Sequence, residues 1–300
     1  MELKIKPYFR YLGGKYKVMD KIADLMPKDS SLTTLVEPFA GSCQVYLGLR
    51  ERGIVSNGRL NDNSKWVILL HKLIRDNPGL YLEYCKKYRQ ITDRMYNNPD
   101  VYKAVYYKVR EEFNKNINDD SIKQIMRFAF IIKMGFNGLV RFKKDGSNEI
   151  SVAPGSIKLR FAYEEDNIHL ISQYFNDCQF YCEDYTSFIK HIVSEIDTES
   201  SLVFYDPPYL PTTFTMEKQD KDFNVYSPNT FSFKDIRKIR ILFDYLSKKG
   251  IKQMLTINDR NEVLELFESD YNIHRVEVKK IKPGTAAFTG ATTELWITNY

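Results

Sequence analysis

The chain has 300 residues, enough for one large domain or for a domain carrying a substantial insertion. Hydrophobic residues at 43% and charged residues at 28% are ordinary for a globular protein. No apolar run approaches the roughly 20 residues that cross a bilayer, and Met1-Glu2-Leu3-Lys4-Ile5-Lys6 lacks the apolar core of a signal peptide, so an intracellular protein without a membrane partner is expected. The net charge of +5 is compatible with a polyanionic partner but too small to establish one. Cys43, Cys85, Cys178 and Cys182 form no CxxC pair and have no histidine at ligand spacing, which predicts reduced thiols and no metal site.

Ser31-Leu32-Thr33-Thr34-Leu35-Val36 reads as a buried β-strand stopped by Pro38. Glu37-Pro38-Phe39-Ala40-Gly41-Ser42 follows and leads into the helical pattern of Val45, Leu47 and Leu49. Such a corner suits a cofactor, because glycine lets a ligand approach the backbone and the helix start offers free N–H groups, although similar turns occur throughout α/β proteins. A second strand ends at Arg59-Leu60-Asn61-Asp62-Asn63. It places Asp62 about twenty positions after the turn, where an acid accepts ribose hydroxyls or caps a helix beginning near Ser64.

From Leu80 to about Lys133 the periodicity is helical. Val101, Val105 and Val109 recur beside Tyr102, Tyr106 and Phe113, and Ile122, Ile125, Met126 and Ala129 resume after a break at Asn118-Asp119-Asp120, which predicts the core of an inserted subdomain. Phe136 to Phe142, a turn over Lys143 to Asn148, and Glu149 to Ala153 read as a β-hairpin with a basic, aromatic rim, and a two-stranded ribbon fits the DNA major groove. Basic residues interleave with aromatics around Arg10, Lys15 and Lys17, around Arg127 and Lys133, and around Arg141, Lys143, Lys144, Lys158 and Arg160. That mixture suits phosphate contact with base stacking, and equally a solvated surface.

Thereafter strands and helices alternate: Cys178 to Cys182, a helix around Thr186 to Ile196, Leu202 to Tyr205, a helix from Lys234 to Lys248, Gln253 to Ile257, a helix from Glu262 to Phe267, and a closing run Glu294 to Asn299. This alternation predicts a mostly parallel sheet covered by helices. His71, His169, His191 and His274 have no carboxylate or serine partners in a recognisable order and receive no catalytic role.

Asp206-Pro207-Pro208-Tyr209, placed after Leu202-Val203-Phe204-Tyr205, carries the most chemistry. An amine conjugated to an aromatic ring is a poor nucleophile, since its lone pair is delocalised. If Asp206 and the Pro207 carbonyl accept its two hydrogens, the nitrogen moves toward tetrahedral geometry and the lone pair is freed to attack a methyl sulfonium. The prolines stiffen the turn and offer no N–H, and Tyr209 supplies a flat face for a base. A Pro-Pro step also ends many ordinary strands, so the tetrapeptide alone leaves a purely structural reading open.

Together these segments resemble the Dam family of adenine-N6 DNA methyltransferases, in the class alpha order of cofactor motif, target-recognition insertion and catalytic tetrapeptide. The resemblance covers nearly the whole chain. It is carried by Arg10-Tyr11-Leu12-Gly13-Gly14-Lys15, Glu37-Pro38-Phe39-Ala40-Gly41, Phe136-Asn137-Gly138-Leu139-Val140-Arg141, Glu183-Asp184-Tyr185, Asp206-Pro207-Pro208-Tyr209 and Thr298-Asn299-Tyr300. It implies an α/β fold with a Rossmann-like S-adenosylmethionine-dependent methyltransferase sheet from residues 1–64 and 161–300, and an inserted helical/β-hairpin target-recognition domain at 65–160.

By the same resemblance, Tyr11, Gly13, Gly14 and Lys15 close over S-adenosylmethionine, Glu37, Phe39 and Gly41 form the turn at its methionine portion, Asp62 holds the ribose, and Asp184 and Tyr185 hold its adenine. Asp206, Pro207 and Tyr209 are the implied catalytic residues, and Arg10, Asn137, Leu139 and Arg141 match positions that contact DNA bases or fill the gap left by an extruded nucleotide. A base inside a duplex cannot reach a buried sulfonium, so the target must be flipped out, at a cost of about a few kcal/mol. No metal is required. Double-stranded DNA is the expected partner, with no obligate protein partner evident and a restriction endonuclease of the same system compatible with the family.

Two segments depart from the family pattern. Cys43 stands where relatives often carry a second glycine, which narrows the backbone approach, and Ser151-Val152-Ala153-Pro154-Gly155 replaces Asn-Val-Pro-Tyr-Gly. Cytosine N4, RNA adenine and a protein glutamine amide are alternative acceptors, but enzymes for the first more often begin the tetrapeptide with Ser and for the last with Asn. A catalytically idle DNA-binding protein is a further alternative, disfavoured because it need not keep the tetrapeptide beside Asp62 and Asp184. GATC is the expected target, chiefly on Arg141, whose fork reads guanine through O6 and N7 for about 1–3 kcal/mol of discrimination. Arg141→Ala is therefore expected to relax choice at one base pair more than it weakens affinity. Binding to a panel of substituted duplexes at two salt concentrations checks this, since uniform weakening with a shallower salt dependence would mark a phosphate ligand.

Overall fold

The computed structural model describes residues 4–9, 11, 13–28, 31–138, 143, 149–156, 158–210, 231–281 and 288–300. In chain order its elements are α1 (Met19–Leu25), β1 (Thr34–Glu37), α2 (Gln44–Glu51), β2 (Asn57–Asn61), α3 (Lys65–Asp76), α4 (Pro78–Met95), α5 (Pro99–Lys115), α6 (Ile122–Met134), α7 (Glu165–Phe175), β3 (Cys178–Tyr181), α8 (Tyr185–Ile192), β4 (Ser201–Tyr205), α9 (Phe233–Lys248), β5 (Lys252–Asn258), α10 (Asn261–Phe267), β6 (Asn272–Ile281) and β7 (Phe288–Thr298). The strands form one sheet in the order β3-β2-β1-β4-β5-β7-β6. β1 to β5 pair in parallel, and β7 lies antiparallel between β5 and β6. This is a Rossmann-like, doubly wound sheet whose order reverses between β1 and β4.

Successive residues of a strand face opposite sides of the sheet, and both sides are covered. Leu35, Leu202, Phe204, Met254 and Trp296 pack on one side with α1 to α3. Val36, Val203, Tyr205, Leu255 and Ile297 pack on the other with α8 to α10. Because neither face meets water, β4 is a continuous apolar run rather than an alternating one.

The first of these cores continues without interruption into α4 to α6 through Tyr81, Tyr102, Tyr106, Phe113, Phe128 and Phe130. The helical stretch expected from Leu80 is three helices, with an additional break at Tyr96-Asn97-Asn98. Asn97 adopts φ 59°, and Asn98 caps α5 by accepting from Val101 N at 3.2 Å, with Pro99 in the first turn. The signal is in the sequence, since Asn followed by Pro is a helix start. The buried stripe of α5 is its aromatic one: Val101 is 41% exposed, whereas Tyr102 and Tyr106 are buried and donate to the carbonyls of Met134 and Val152.

The hairpin reading is met at its ends. Gly135 and Pro154 form an antiparallel bridge, Phe136 N donates to Ala153 O, and Lys143 N donates to Glu149 O. Phe136 to Gly138 is a 3-10 turn rather than strand, because Gly138 at φ 66° turns the chain out of the extended conformation. Residues 139–142 and 144–148 lie outside the described residues. Neither α7 nor β6 is anticipated by the alternation, and β6 is an edge strand with many polar residues.

Asn98→Ala removes the cap of α5 and is expected to cost about 1 kcal/mol of stability. A urea titration checks it, and an unchanged midpoint would show that Pro99 alone sets the helix start.

Candidate active site

The carboxyl ends of β1 and β4 lie side by side where the strand order reverses, the place at which open α/β sheets bind ligands. The turn from Glu37 to Gly41 leaves β1, and Asp206 to Tyr209 leaves β4. Segments 37 and 206 are thus brought together by sheet pairing, although 169 positions separate them.

Gly41 is required twice over. It adopts φ 48°, and a Cβ there would lie 2.9 Å from the Tyr11 ring. Its N–H donates to Asp62 Oδ2 at 2.9 Å, while Asp62 Oδ1 accepts from Ser64 N at 2.8 Å. Asp62 therefore pins the turn and the Ser64 backbone; Ser64, and not Asp62, is the N-cap residue of α3, because the helix begins only at Lys65. Burial pushes its carboxyl up to about 6 against the lowering effect of those two N–H groups. Asn61 reinforces the same corner, donating to the carbonyls of Pro38 and Glu183 and accepting from Glu183 N.

Beneath the turn lies His71, for which the sequence suggested no role. Its Nε2 is 2.8 Å from Gly41 O, and a carbonyl can only accept, so Nε2 carries the hydrogen. Burial pulls the imidazole down to about 4, leaving the ring neutral, so Nδ1 accepts from the Tyr8 hydroxyl. The one available signal was a histidine in the apolar stripe of α3, which usually means core. Cys43 adopts φ 55° at the cap of α2, and its thiol is buried against His71. The side chain expected to narrow the approach to the turn is instead packed into the core.

Glu37 is 2% exposed and reaches forward to accept from Tyr46 N at 2.8 Å in the first turn of α2. Burial holds its carboxyl well above the usual range, with the Tyr46 N–H opposing and the Asp206 charge adding to the rise. Asp184 caps α8 by accepting from Thr186 N at 2.9 Å. Tyr185 is buried, its ring 5.0 Å from that of Phe39, and its hydroxyl donates to Asp235. Phe39 and Tyr185 thus lie together, with Asp184 immediately before Tyr185 at the start of α8.

The N-terminal segment closes the site from the other side. Lys15 is 4% exposed, and its Nζ donates to Asp206 Oδ1 at 2.7 Å, to the Tyr209 hydroxyl at 2.9 Å and to Gly13 O at 3.2 Å. Gly13, at φ 81°, and the Gly14 N–H to Tyr11 O bond turn the chain so that this reach is possible. Burial pushes the Asp206 carboxyl up, the Lys15 ammonium and Thr256 hydroxyl pull it down, and Glu294 pushes it up again. Thr256 Oγ1 donates to Asp206 Oδ1 at 2.9 Å, and Asn258 Nδ2 donates to Leu210 O at 3.1 Å. Thr256, Asn258 and Glu294 were missed from sequence because they sit in runs that read as plain β-strand.

Arg10, Leu139 and Arg141, and the side chain of Asn137, lie outside the described residues.

A doubly wound sheet with a glycine turn on β1 and an Asp-Pro-Pro-Tyr corner on β4 defines an α/β enzyme of the methyltransferase class. The D12 class N6 adenine-specific DNA methyltransferase family matches residues 11–280, and the chain belongs to that family. It is an adenine-specific DNA methyltransferase. Among its relatives are the Type II methyltransferase M.MjaIII of Methanocaldococcus jannaschii, 27% identical with 93% of each chain covered, and the DNA adenine methylase of Haemophilus influenzae, 27% identical over 93% of this chain and 88% of that one. The DNA adenine methylase of Escherichia coli K12 is 27% identical over 92% of this chain and 89% of its own. The likeness to a solved rRNA methyltransferase of Streptomyces viridochromogenes is slight, at a TM-score of 0.37 and 10% identity over 98% of this chain and 90% of that one.

Asp62 yields a test of the turn. Its carboxyl is raised from 3.8 to about 6 on folding, so it contributes stability that is present below about pH 4 and lost as pH rises through about 6. Asp62→Asn is expected to remove that slope. Urea midpoints from pH 4 to 6.5 check it, and parallel curves for both proteins would contradict the assigned burial.

Proposed function

We propose that this protein transfers a methyl group from S-adenosylmethionine to N6 of an adenine flipped out of a short double-stranded DNA sequence, with GATC as the target. The observation that carries the reading is that Asp206 and Tyr209, both bonded to Lys15, leave β4 beside β1, the strand from which the Gly41 turn departs.

The residues present fit the cofactor. Gly41 lets the Tyr11 ring lie close against the turn, Phe39 and the buried Tyr185 ring supply an apolar flank, and the Asp184 carboxylate stands exposed at the start of α8. Tyr11, Gly13 and Gly14 would close over it, Glu37 would hold the α2 end of the turn, and Asp62 would present the ribose corner. Bound there, the cofactor would supply an electrophilic methyl on a sulfonium cation, beside the acid Asp206.

Asp206 and the Pro207 carbonyl accept the hydrogens of the target amine and free its lone pair, while Tyr209 stacks the base. Asp206 acts only as a carboxylate. The Lys15 ammonium favours that form, opposing the burial that pushes the carboxyl up. Arg10, Asn137, Leu139 and Arg141 are the proposed DNA contacts. Residues 65–160 form the proposed target-recognition unit on a catalytic unit of residues 1–64 and 161–300, with α3 packed against both α6 and α7 at the junction. The names of the relatives from M. jannaschii and Lactococcus lactis, both Type II methyltransferases, support a cognate restriction endonuclease as a partner in the same system. No helix among the described residues is long and apolar enough to cross a membrane, and the proposed location is wherever the DNA is, inside the cell.

Expression in cells lacking adenine methylation, followed by mapping of modified bases, tests acceptor and site together. N6-methyladenine in GATC is expected, another sequence would correct the target, and unmodified DNA would overturn the activity. Asp206→Ala is expected to abolish turnover while specific DNA binding stays within about threefold, because the acid acts on the flipped amine and not on the groove. Losses of rate and of binding that match would refute that role.

A further inference from the structure

We propose that Thr256 is a positioning residue for methyl transfer: together with Lys15 it holds one oxygen of Asp206, so that the other, Oδ2, is the oxygen that receives a hydrogen of the flipped amine. The proposal rests on the activity argued above and extends it to β5, a strand that carries none of the recognised motifs.

Thr256 is fully buried, between Leu255 and Ile257 in a strand whose interior is closed to water. A valine has the same branched shape and would suit such a strand better, because a hydroxyl taken out of water costs free energy unless it finds an acceptor. Two acceptors are within reach. Asp206 Oδ1 lies 2.9 Å from Thr256 Oγ1, and the Tyr205 carbonyl lies 3.4 Å away. A hydroxyl has one hydrogen, and the nearer, acidic oxygen makes the stronger bond with it.

Sheet register makes this contact. β4 and β5 run parallel with Tyr205 opposite Leu255, which brings Thr256 level with Asp206 at the carboxyl edge. Lys15 Nζ donates to the same Oδ1 at 2.7 Å. Both bonds end on Oδ1, no donor among the described residues holds Oδ2, and the Asp206 side chain keeps 18% of its surface open. A carboxylate held at one oxygen by donors from two separate elements cannot swing freely, so its second oxygen keeps a fixed direction. Small misplacements there are costly, because methyl transfer requires an in-line approach. Asn258, two residues further along the same face of β5, holds the Leu210 carbonyl at 3.1 Å, so the strand grips the tetrapeptide region at both ends.

Thr256 also bears on the charge of Asp206. Burial raises the carboxyl, the Lys15 ammonium lowers it, the Glu294 charge on β7 raises it, and the Thr256 hydrogen bond lowers it. Glu37 at the end of β1 and the Tyr209 hydroxyl also feel the Asp206 charge. With those groups unchanged, loss of the Thr256 donor moves protonation of Asp206 to higher pH.

The test uses the full chain with Thr256→Val, Thr256→Ser and Thr256→Ala, an unmethylated duplex carrying the mapped target, and kcat, KM, cofactor affinity and the pH profile of kcat/KM for each. Thr256→Val is expected to lower kcat by about tenfold while KM for DNA and cofactor affinity change by less than about threefold, and to move the acid limb to higher pH. Thr256→Ser keeps the hydroxyl and drops the methyl, so it should return kcat to within about threefold of wild type and restore the acid limb. If Thr256→Val does not fold, Thr256→Ala set against Thr256→Ser isolates the same hydroxyl and is expected to show the same loss. Asp206→Asn tests the choice of oxygen. Lys15 and Thr256 both donate, so they select the amide oxygen and turn its NH2 toward the target amine, and turnover should fall by more than about tenfold. A Thr256→Val protein equal to wild type in kcat and acid limb, a serine variant as impaired as the valine one, or an Asp206→Asn protein that keeps more than about a tenth of wild-type kcat overturns the proposal. Wild-type protein that methylates no adenine refutes the underlying activity instead, which separates the two failures.

Discussion

One ammonium ties the two halves of the site together. Lys15, placed by the glycine turn before it, reaches across to the acid and the tyrosine that leave β4 and is almost wholly removed from water. Such a buried pair is not a large source of stability, since desolvation of both ions offsets much of their attraction. Its consequence is chemical. Burial pushes the Asp206 carboxyl up and the Lys15 ammonium pulls it back down, so the cation favours the carboxylate that the proposed hydrogen bond from the target amine requires.

The pair is useful only because the backbone beneath it is fixed. The turn after β1 is held from three directions: Asp62 takes the Gly41 N–H, His71 takes the Gly41 carbonyl, and Asn61 binds the carbonyls of Pro38 and Glu183. Asn61 and Asp62 come from the end of β2 and His71 from α3, and each is buried or nearly so. A preorganised site pays for its geometry before substrate arrives, which is why so many polar side chains here bond to backbone rather than to one another.

Much of this was legible in the sequence where chemistry and local structure coincide. The Asp-Pro-Pro-Tyr corner, the glycine turn and Asp62 stand at the ends of strands, where residue types are readable, and it is their combination in one order that sets them apart from ordinary element ends. Glu294, Thr256, Asn258 and His71 do not. Thr256 and His71 sit within apolar runs and Asn258 and Glu294 at the ends of such runs, and a run's periodicity records which face is buried without recording what a buried polar atom bonds to. The valines of α5 show the same limit, since Val101 and Tyr102 fit a helical stripe equally well until the partner helix selects the tyrosine.

The order of motifs along the chain determined the class of enzyme and the parallel, helix-covered sheet, because alternating apolar strands and amphipathic helices bury their surfaces in few ways. What the chain could not specify locally was the company each residue keeps. Lys15 read as part of a cofactor clasp, yet its ammonium bonds to an acid 191 positions away. Asp62 read as either a ribose ligand or a cap, and its oxygens hold the backbone N–H groups of Gly41 and Ser64. These choices belong to tertiary structure, since the free energy of a buried charge or donor depends on partners that only the folded sheet brings within bonding distance.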